Sequence, residues 1–163
     1  MLISLQVGFV TVDAAYANQT SDGNELVQFA QPADDLGPAT SRLDTIAAEH
    51  ESGPDVVLFN SSVVSSGALV REPGGEPFNH FRPTCSNWPN TLPLNWYLVR
   101  SDADVACERS PDALTETEPP MIVALGSDGG VPVDRLEGPY VNETYRLRAW
   151  GDEITVWTHE DWT

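Results

Sequence analysis

The chain has 163 residues, of which 40% are apolar and 9% aromatic, and these fractions suit one domain with a buried core rather than a disordered segment. It carries 25 acidic and 8 basic residues, a formal net charge of −17, and every basic residue is arginine. A net negative charge of this size repels phosphates and argues against nucleic acid as a partner. Because the acidic residues are spread along the chain without a calcium-loop spacing, we expect a surface adapted to high salt, with an acidic patch for a basic partner or Ca²⁺ as the alternative.

The N-terminal segment, residues 1–17, opens with the apolar stretch MLISLQVGFVTV. This stretch is shorter than the roughly 20 apolar residues of a membrane-spanning helix, and it lacks the basic start and the cleavage site of a signal peptide. Composition alone leaves two interpretations open, the end of a membrane helix or a first core strand. Residues 18–163 are predicted to form a single α/β domain.

Helical and extended patterns alternate along the rest of the chain. Apolar positions 39, 43, 46, 47 and 50 share one helical face, which predicts a helix that ends near Ser52 and Gly53. Further predicted elements follow in chain order: strand DVVLFN, helix NTLPLNWYLVR, strand ADVAC, capped turn SPDAL, strand MIVALG, helical turn VDRLEG, and strands TYRLRAW and ITVWTH. The pattern predicts an α/β fold with three layers, a mostly parallel sheet and a C-terminal antiparallel β-hairpin.

Enzyme and metal motifs are absent from the sequence. His50, His80 and His159 lie on separate predicted elements without the spacing of metal ligands, and we expect His50 to complement the dipole of its helix. We therefore predict no catalytic residue, no metal site and no cofactor for this chain. A small hydrolase that uses the carboxyl edge of the sheet is the least favoured alternative.

Cys85 and Cys107 are the only cysteines. Cys85 precedes a predicted helix and Cys107 ends the next predicted strand. In a right-handed β-α-β unit a helix start and the following strand end meet at one edge of the sheet. The topology thus predicts a disulfide, with two unrelated buried thiols as the alternative, and a disulfide implies an oxidising, extracytoplasmic setting.

Three side chains are candidate ligand contacts. Asn60 follows a predicted strand at the edge where open α/β sheets bind ligands. Trp88, beside Cys85 in a proline-flanked loop, has an aromatic face suited to a sugar or a lipid headgroup, and packing in the core is the open alternative. Arg100 is a further candidate, although we expect it to cap its own helix rather than to bind phosphate.

The other aromatic side chains are expected to be structural. We predict that Trp96 and Tyr97 lie in the core, and that Trp150, Trp157 and Trp162 pack on one face of the sheet. The N-x-[ST] pattern also marks three candidate glycosylation sites: Asn18, Asn60 and Asn142.

Several segments share their order with a known family: ELVQFAQPADDLGP, GPDVVLFN, C-x2-W-x4-LPLNWYL, SPDAL-x5-PPMIVAL and TYRLRAWGDEITVWTHEDW. Residues 16–162 resemble the C-terminal soluble region of a haloarchaeal membrane family described as flippase-activity-associated. That family is similar to dolichyl-phosphate-mannose protein mannosyltransferases, which are polytopic GT-C enzymes. The resemblance implies that residues 1–17 are the end of a membrane helix.

The resemblance also implies a function. We expect a non-catalytic domain on the extracytoplasmic face of an archaeal glycosyltransferase-like membrane protein, joined to the membrane by upstream helices. It would position a lipid-linked sugar, an acceptor glycan or a partner subunit. A stand-alone halophilic surface or secreted binding module is the alternative.

Overall fold

A computed structural model describes residues 36–60, 91–126, 130–147 and 153–163. These residues form three α-helices and five strands, and the predicted order of elements is confirmed for them. The elements, in chain order, are α1 (Gly37–Glu49), β1 (Val56–Phe59), α2 (Leu94–Arg100), β2 (Val105–Glu108), α3 (Pro111–Thr117), β3 (Met121–Leu125), β4 (Tyr140–Arg146) and β5 (Glu153–His159). Single 3₁₀ turns at Val133–Arg135 and Glu160–Trp162 complete the described fold.

The strands form one sheet in the order β2-β1-β3-β5-β4. β1 pairs with β2 and with β3 in parallel, whereas β5 pairs with β3 and with β4 in antiparallel orientation. The prediction of a mostly parallel sheet is therefore wrong, since two of the four pairings are antiparallel. A parallel pairing requires a crossover connection such as α2 and α3 provide. The described residues between β3 and β5 form a 3₁₀ turn and β4 and no α-helix. Residues 148–152, between β4 and β5, lie outside the described residues, so the hairpin connection stays a prediction.

Apolar side chains cover both faces of the sheet. Val56 and Leu58 of β1 join one core cluster with α1 and α2, whereas Val57 and Phe59 join a second cluster with Leu114 of α3. Successive residues of a strand point to opposite faces, which explains why every residue of β1 is buried. β2 and β3 lie on opposite sides of β1, so crossovers of one hand carry α2 and α3 to opposite faces. A full three-layer arrangement stays a prediction, because residues 61–90 lie outside the described ones.

α1 follows the predicted apolar stripe. Pro38 lies in its first turn, and Ala39, Leu43 and Ile46 are buried against the sheet. The helix ends at Glu49, a few residues before the predicted end, and the backbone N–H of His50 closes it on the carbonyl of Ile46 at 2.8 Å. The end of α1 is thereby fixed beside the start of β1.

Two predictions about the tryptophans are wrong. Trp96 is 67% exposed on the outer face of α2, because Leu94 and Leu98 fill the inner face, whereas Tyr97 packs against the core as predicted. Trp157 and Trp162 contact different clusters and so do not share one face of the sheet. Trp157 lies within β5, but Trp162 lies in the 3₁₀ turn that follows it, where the alternation of a strand no longer applies.

The helices of the described residues are all too short or too polar to cross a membrane.

Candidate functional site: a cleft at the amino edge of the sheet

A cleft of about 410 Å³ lies at the edge of the sheet where β1 and β3 begin. Pro120 precedes β3 and its carbonyl accepts the backbone N–H of His159 at 2.9 Å. His159 ends β5 and pairs in register with Tyr140, the first residue of β4. The antiparallel half of the sheet thus places the end of β5 and the start of β4 beside the amino ends of the parallel strands.

One wall of the cleft consists of the rings of His159 and Tyr140. The two rings meet edge to face with centroids 5.2 Å apart. Gly138 allows this arrangement, because a Cβ on that residue would lie 2.2 Å from His159 Nε2, and its φ of +77° is one that side-chain-bearing residues rarely adopt. The His159 ring can therefore occupy this wall only because residue 138 is glycine.

Acidic groups line the same wall. Glu118 Oε1 accepts the backbone N–H of Glu137 at 3.2 Å, and both carboxylates line the cleft. The Tyr140 hydroxyl donates to the carbonyl of Pro119 at 2.8 Å. Burial, assisted by the negative charge of Glu118, raises the pKa of Tyr140 to about 12, because both disfavour the charged phenolate.

His50 and Trp162 also line the cleft and contact each other. Their rings meet edge to face with centroids 6.1 Å apart. His50 Nδ1 also lies 3.1 Å from Asp55 Oδ1, and the other oxygen of this buried carboxylate accepts the Asp104 backbone N–H at 2.7 Å. The ring of His50 is therefore held between the start of β1 and the C-terminal turn.

A second cleft, of about 530 Å³, adjoins the first. It lies along α1, and its lining includes the hydroxyl residues Ser41 and Thr45 and the carboxylate of Glu49. Asp161 and Trp162 line both clefts, so the 3₁₀ turn separates them.

An ion pair beside the second cleft joins α1 to β4 of the sheet. Arg42 of α1, which lines this cleft, pairs with Glu143 of β4, and the Tyr145 hydroxyl donates to the same carboxylate at 3.0 Å. The hydrogen bond from Arg42 lowers the pKa of Glu143, and the same bond raises the pKa of Arg42. The Arg42 charge is thus already matched by an acid of the protein.

The structure does not bring together the two described ligand-contact candidates, Asn60 and Arg100. Asn60 is buried at the carboxyl end of β1, where its backbone N–H donates to Glu108 at 3.1 Å. Arg100 lies toward the amino edge of the sheet, where its Nη2 is 3.2 Å from Asp44 Oδ2 of α1. Its guanidinium carbon lies 5.5 Å from the centroid of the Tyr97 ring. The Asp44 pair and the Tyr97 contact agree with a structural role for Arg100. Trp88 lies outside the described residues.

The remaining site predictions stay predictions. Cys107 lies in β2 and packs against the same cluster as α2, but no disulfide joins two described residues, because Cys85 lies outside them. Asn142 is exposed on β4, whereas Asn18 lies outside the described residues. Within the described ranges, no group of three His, Cys, Asp or Glu side chains is placed to hold a metal ion.

The family of the chain follows from comparison with known proteins. A family model described as the Agl23 flippase-associated protein C-terminal domain matches residues 36–159. The chain belongs to this family. Comparison with curated proteins and with solved structures gives no match. Membership in the Agl23 flippase-associated family supports a glycosylation-related role and an association with a membrane, and it confirms the family expected from the ordered segments.

Sequence reasoning missed most of the cleft. His50 and His159 are 109 positions apart by residue number, and they line one cleft only because β5 inserts between β3 and β4. One available signal was the register of the two C-terminal strands, which pairs Tyr140 with His159. The Agl23-family match reaches residue 159 and so includes both of these residues.

Proposed function

We propose that this chain is a non-catalytic domain on the extracytoplasmic face of the membrane, where it positions the glycan of a lipid-linked sugar or of an acceptor. The observation that carries the proposal is the cleft at the amino edge of the sheet. Aromatic rings and hydrogen-bonding carboxylates converge there in a chain of a flippase-associated family.

The lining of the cleft suits a sugar. A sugar ring presents one face of C–H groups and a rim of hydroxyls, so it combines an apolar surface with donors and acceptors. The rings of Trp162 and Tyr140 offer apolar surface with a polar group at one end. The carboxylates of Glu118, Glu137 and Asp161 are acceptors for hydroxyl donors. A volume of about 410 Å³ lies within the range of roughly 300–1,000 Å³ typical of small-molecule sites.

The charge of the cleft selects the sugar over the phosphate of a lipid-linked sugar. Three carboxylates line it, and no arginine is among its lining residues. The chain has no lysine, and its net charge is −17. A phosphate would meet like charges in the cleft, whereas a neutral sugar would not. The phosphate and its lipid would therefore stay outside this domain.

The setting of the domain is part of the proposal. The family supports association with a membrane. We infer the extracytoplasmic face from the predicted Cys85–Cys107 disulfide, because disulfides persist in oxidising compartments. The scattered acidic residues and the absence of lysine support a domain that works in high salt.

Co-sedimentation with vesicles tests this function. The 163-residue chain would be mixed with neutral vesicles that contain a polyprenyl-phosphate-linked neutral hexose or the same polyprenyl phosphate without the sugar. We expect sedimentation to depend on the sugar and to be abolished by an excess of the free glycan. Equal binding to both vesicles, or binding to neither, would show that the domain does not position the glycan of a lipid-linked sugar.

A further inference from the structure

The geometry points to a ligand longer than one sugar: we infer that the two clefts form one site for a neutral oligosaccharide of at least two units, with Trp162 between the units. This inference rests on the proposed function. It adds the second cleft along α1 and the class of ligand.

Continuity between the clefts is the first step. Asp161 and Trp162 line both clefts. A ligand in either cleft can therefore contact these two side chains, and a longer ligand can extend past them from one cleft into the other. Each volume, about 410 Å³ and about 530 Å³, lies within the range of a small-molecule site. Ser41 of the second cleft lies about 13 Å along α1 from His50 of the first, at the rise of roughly 1.5 Å per residue of a helix, so one sugar unit cannot contact both.

Rigidity of the dividing turn is the second step. The backbone N–H of Glu160 donates to the Pro139 carbonyl at 2.9 Å, and His159 Nδ1 accepts the Asp161 backbone N–H at 3.3 Å. Trp162 is partly buried and packs against the core, and its ring touches that of His50. The indole is therefore held in place before a ligand arrives, which lowers the entropic cost of binding.

The polar lining of the second cleft is the third step. Ser41 and Thr45 offer hydroxyls, and Glu49 offers an exposed carboxylate, at successive turns of α1. The cation in this cleft, Arg42, is paired with Glu143 and does not provide a free charge for a phosphate. Both clefts thus favour hydroxyl groups, as one extended neutral ligand requires.

Isothermal titration of the 163-residue chain tests the inference. The probes are methyl α-glucopyranoside and methyl α-mannopyranoside and the disaccharides and trisaccharides of the same hexoses. We expect at least one disaccharide or trisaccharide to bind about tenfold or more tightly than its own monosaccharide. Each tenfold step corresponds to about 1.4 kcal/mol.

Three variants assign the gain to the clefts. Glu49 lines the second cleft and not the first, so Glu49→Ala should remove most of the extra affinity of the longer sugar. Trp162→Ala should weaken both ligands, and Trp96→Ala, which removes an exposed tryptophan that lines neither cleft, should weaken neither. Glu49 is exposed, so its variant retains the fold even if Trp162→Ala does not.

The possible outcomes distinguish the two-cleft site from the proposed function on which it rests. Equal affinity for a monosaccharide and its oligomers, or an unchanged preference in Glu49→Ala, would overturn the two-cleft site and leave the proposed function standing. Absence of binding by every saccharide would overturn both.

Discussion

His50 and Asp55 join the end of α1 to the start of β1, with His50 Nδ1 3.1 Å from Asp55 Oδ1. The Asp55 side chain is 8% exposed, and its Oδ2 accepts the backbone N–H of Asp104, the residue before β2. One buried carboxylate therefore links three segments at the amino edge of the sheet. It also holds the histidine that contacts Trp162, so the stability of the edge and the shape of the cleft depend on the same group.

Replacing this carboxylate should destabilise the protein. We expect Asp55→Ala to lower the free energy of unfolding by about 1–3 kcal/mol, because the variant loses the buried carboxylate that accepts the Asp104 N–H and contacts His50. Asp55→Asn retains an oxygen for that N–H and should cost less. Asp112→Ala is a matched control, since Asp112 is 75% exposed and its pair with Arg135 is at the surface. Urea unfolding measures all three, and an Asp55→Ala loss no larger than that of the control would contradict this role.

The ion pair of Arg42 and Glu143 should make stability depend on pH in acid. The hydrogen bond from Arg42 lowers the pKa of Glu143 below 4.5 in the folded state. A lowered folded pKa gives stability that is present above the unfolded value and is lost as pH falls through the folded pKa. Because the Glu143 side chain is 39% exposed, solvent screening limits the effect to less than about 1 kcal/mol.

A double-mutant cycle isolates this pair. The free energy of unfolding should be measured at pH values above and below 4.5. It should fall less in acid for Glu143→Gln than for the unmodified chain. Arg42→Gln should reduce the loss in the same way, and combining the two substitutions should reduce it no further. Additive effects of the two substitutions would show that the residues act independently.

Tyr140 should titrate late in alkali. Burial raises its pKa to about 12, with a smaller contribution from Glu118. A raised folded pKa means that the stabilising neutral phenol is fully present below the unfolded value of 10 and is lost as pH rises through about 12. The difference in phenolate absorbance between the unmodified chain and Tyr140→Phe should therefore appear only near that higher pH. A difference that develops near pH 10 while circular dichroism stays native would contradict the burial of this phenol.

Cys85 and Cys107 should form a disulfide. Cys107 packs on the face of the sheet that α2 covers, and Cys85 precedes α2 in the chain. Alkylation of the denatured, non-reduced protein should label no cysteine, and reduction should release two thiols. The bond would close residues 85–107, and its reduction should cost about 3–4 kcal/mol of stability in the chain-entropy model. Two labelled thiols before reduction would exclude it.

Much of the fold could be predicted from local patterns. The apolar run of β1 is typical of a strand buried on both faces, and Ser110 and Pro111 are typical of a helix start, where the Ser110 side chain indeed accepts the Asp112 N–H at 3.2 Å. The order of the strands could not be predicted in the same way. The insertion of β5 between β3 and β4 depends on contacts distant in sequence, and it makes half of the sheet antiparallel.

The site was harder to predict than the fold. The sequence predicts a ligand contact at the carboxyl edge of the parallel strands, where Asn60 lies. The cleft lies at the opposite edge, because the antiparallel strands carry His159 and the start of β4 to that side. The exposure of Trp96 could not be predicted either. A tryptophan on a short amphipathic helix does not by itself indicate which face of the helix packs against the sheet.

The most direct test of a glycan-positioning domain is an NMR titration of the ¹⁵N-labelled 163-residue chain with a neutral disaccharide. A site with a Kd of about 1 mM would be nearly saturated at roughly 10 mM ligand. We predict shifts of the Trp162 indole N–H and of the backbone around Gly138 and His159, with the Trp96 indole unmoved. An unchanged spectrum, or equal shifts of Trp96 and Trp162, would contradict the assignment of the cleft as a glycan site.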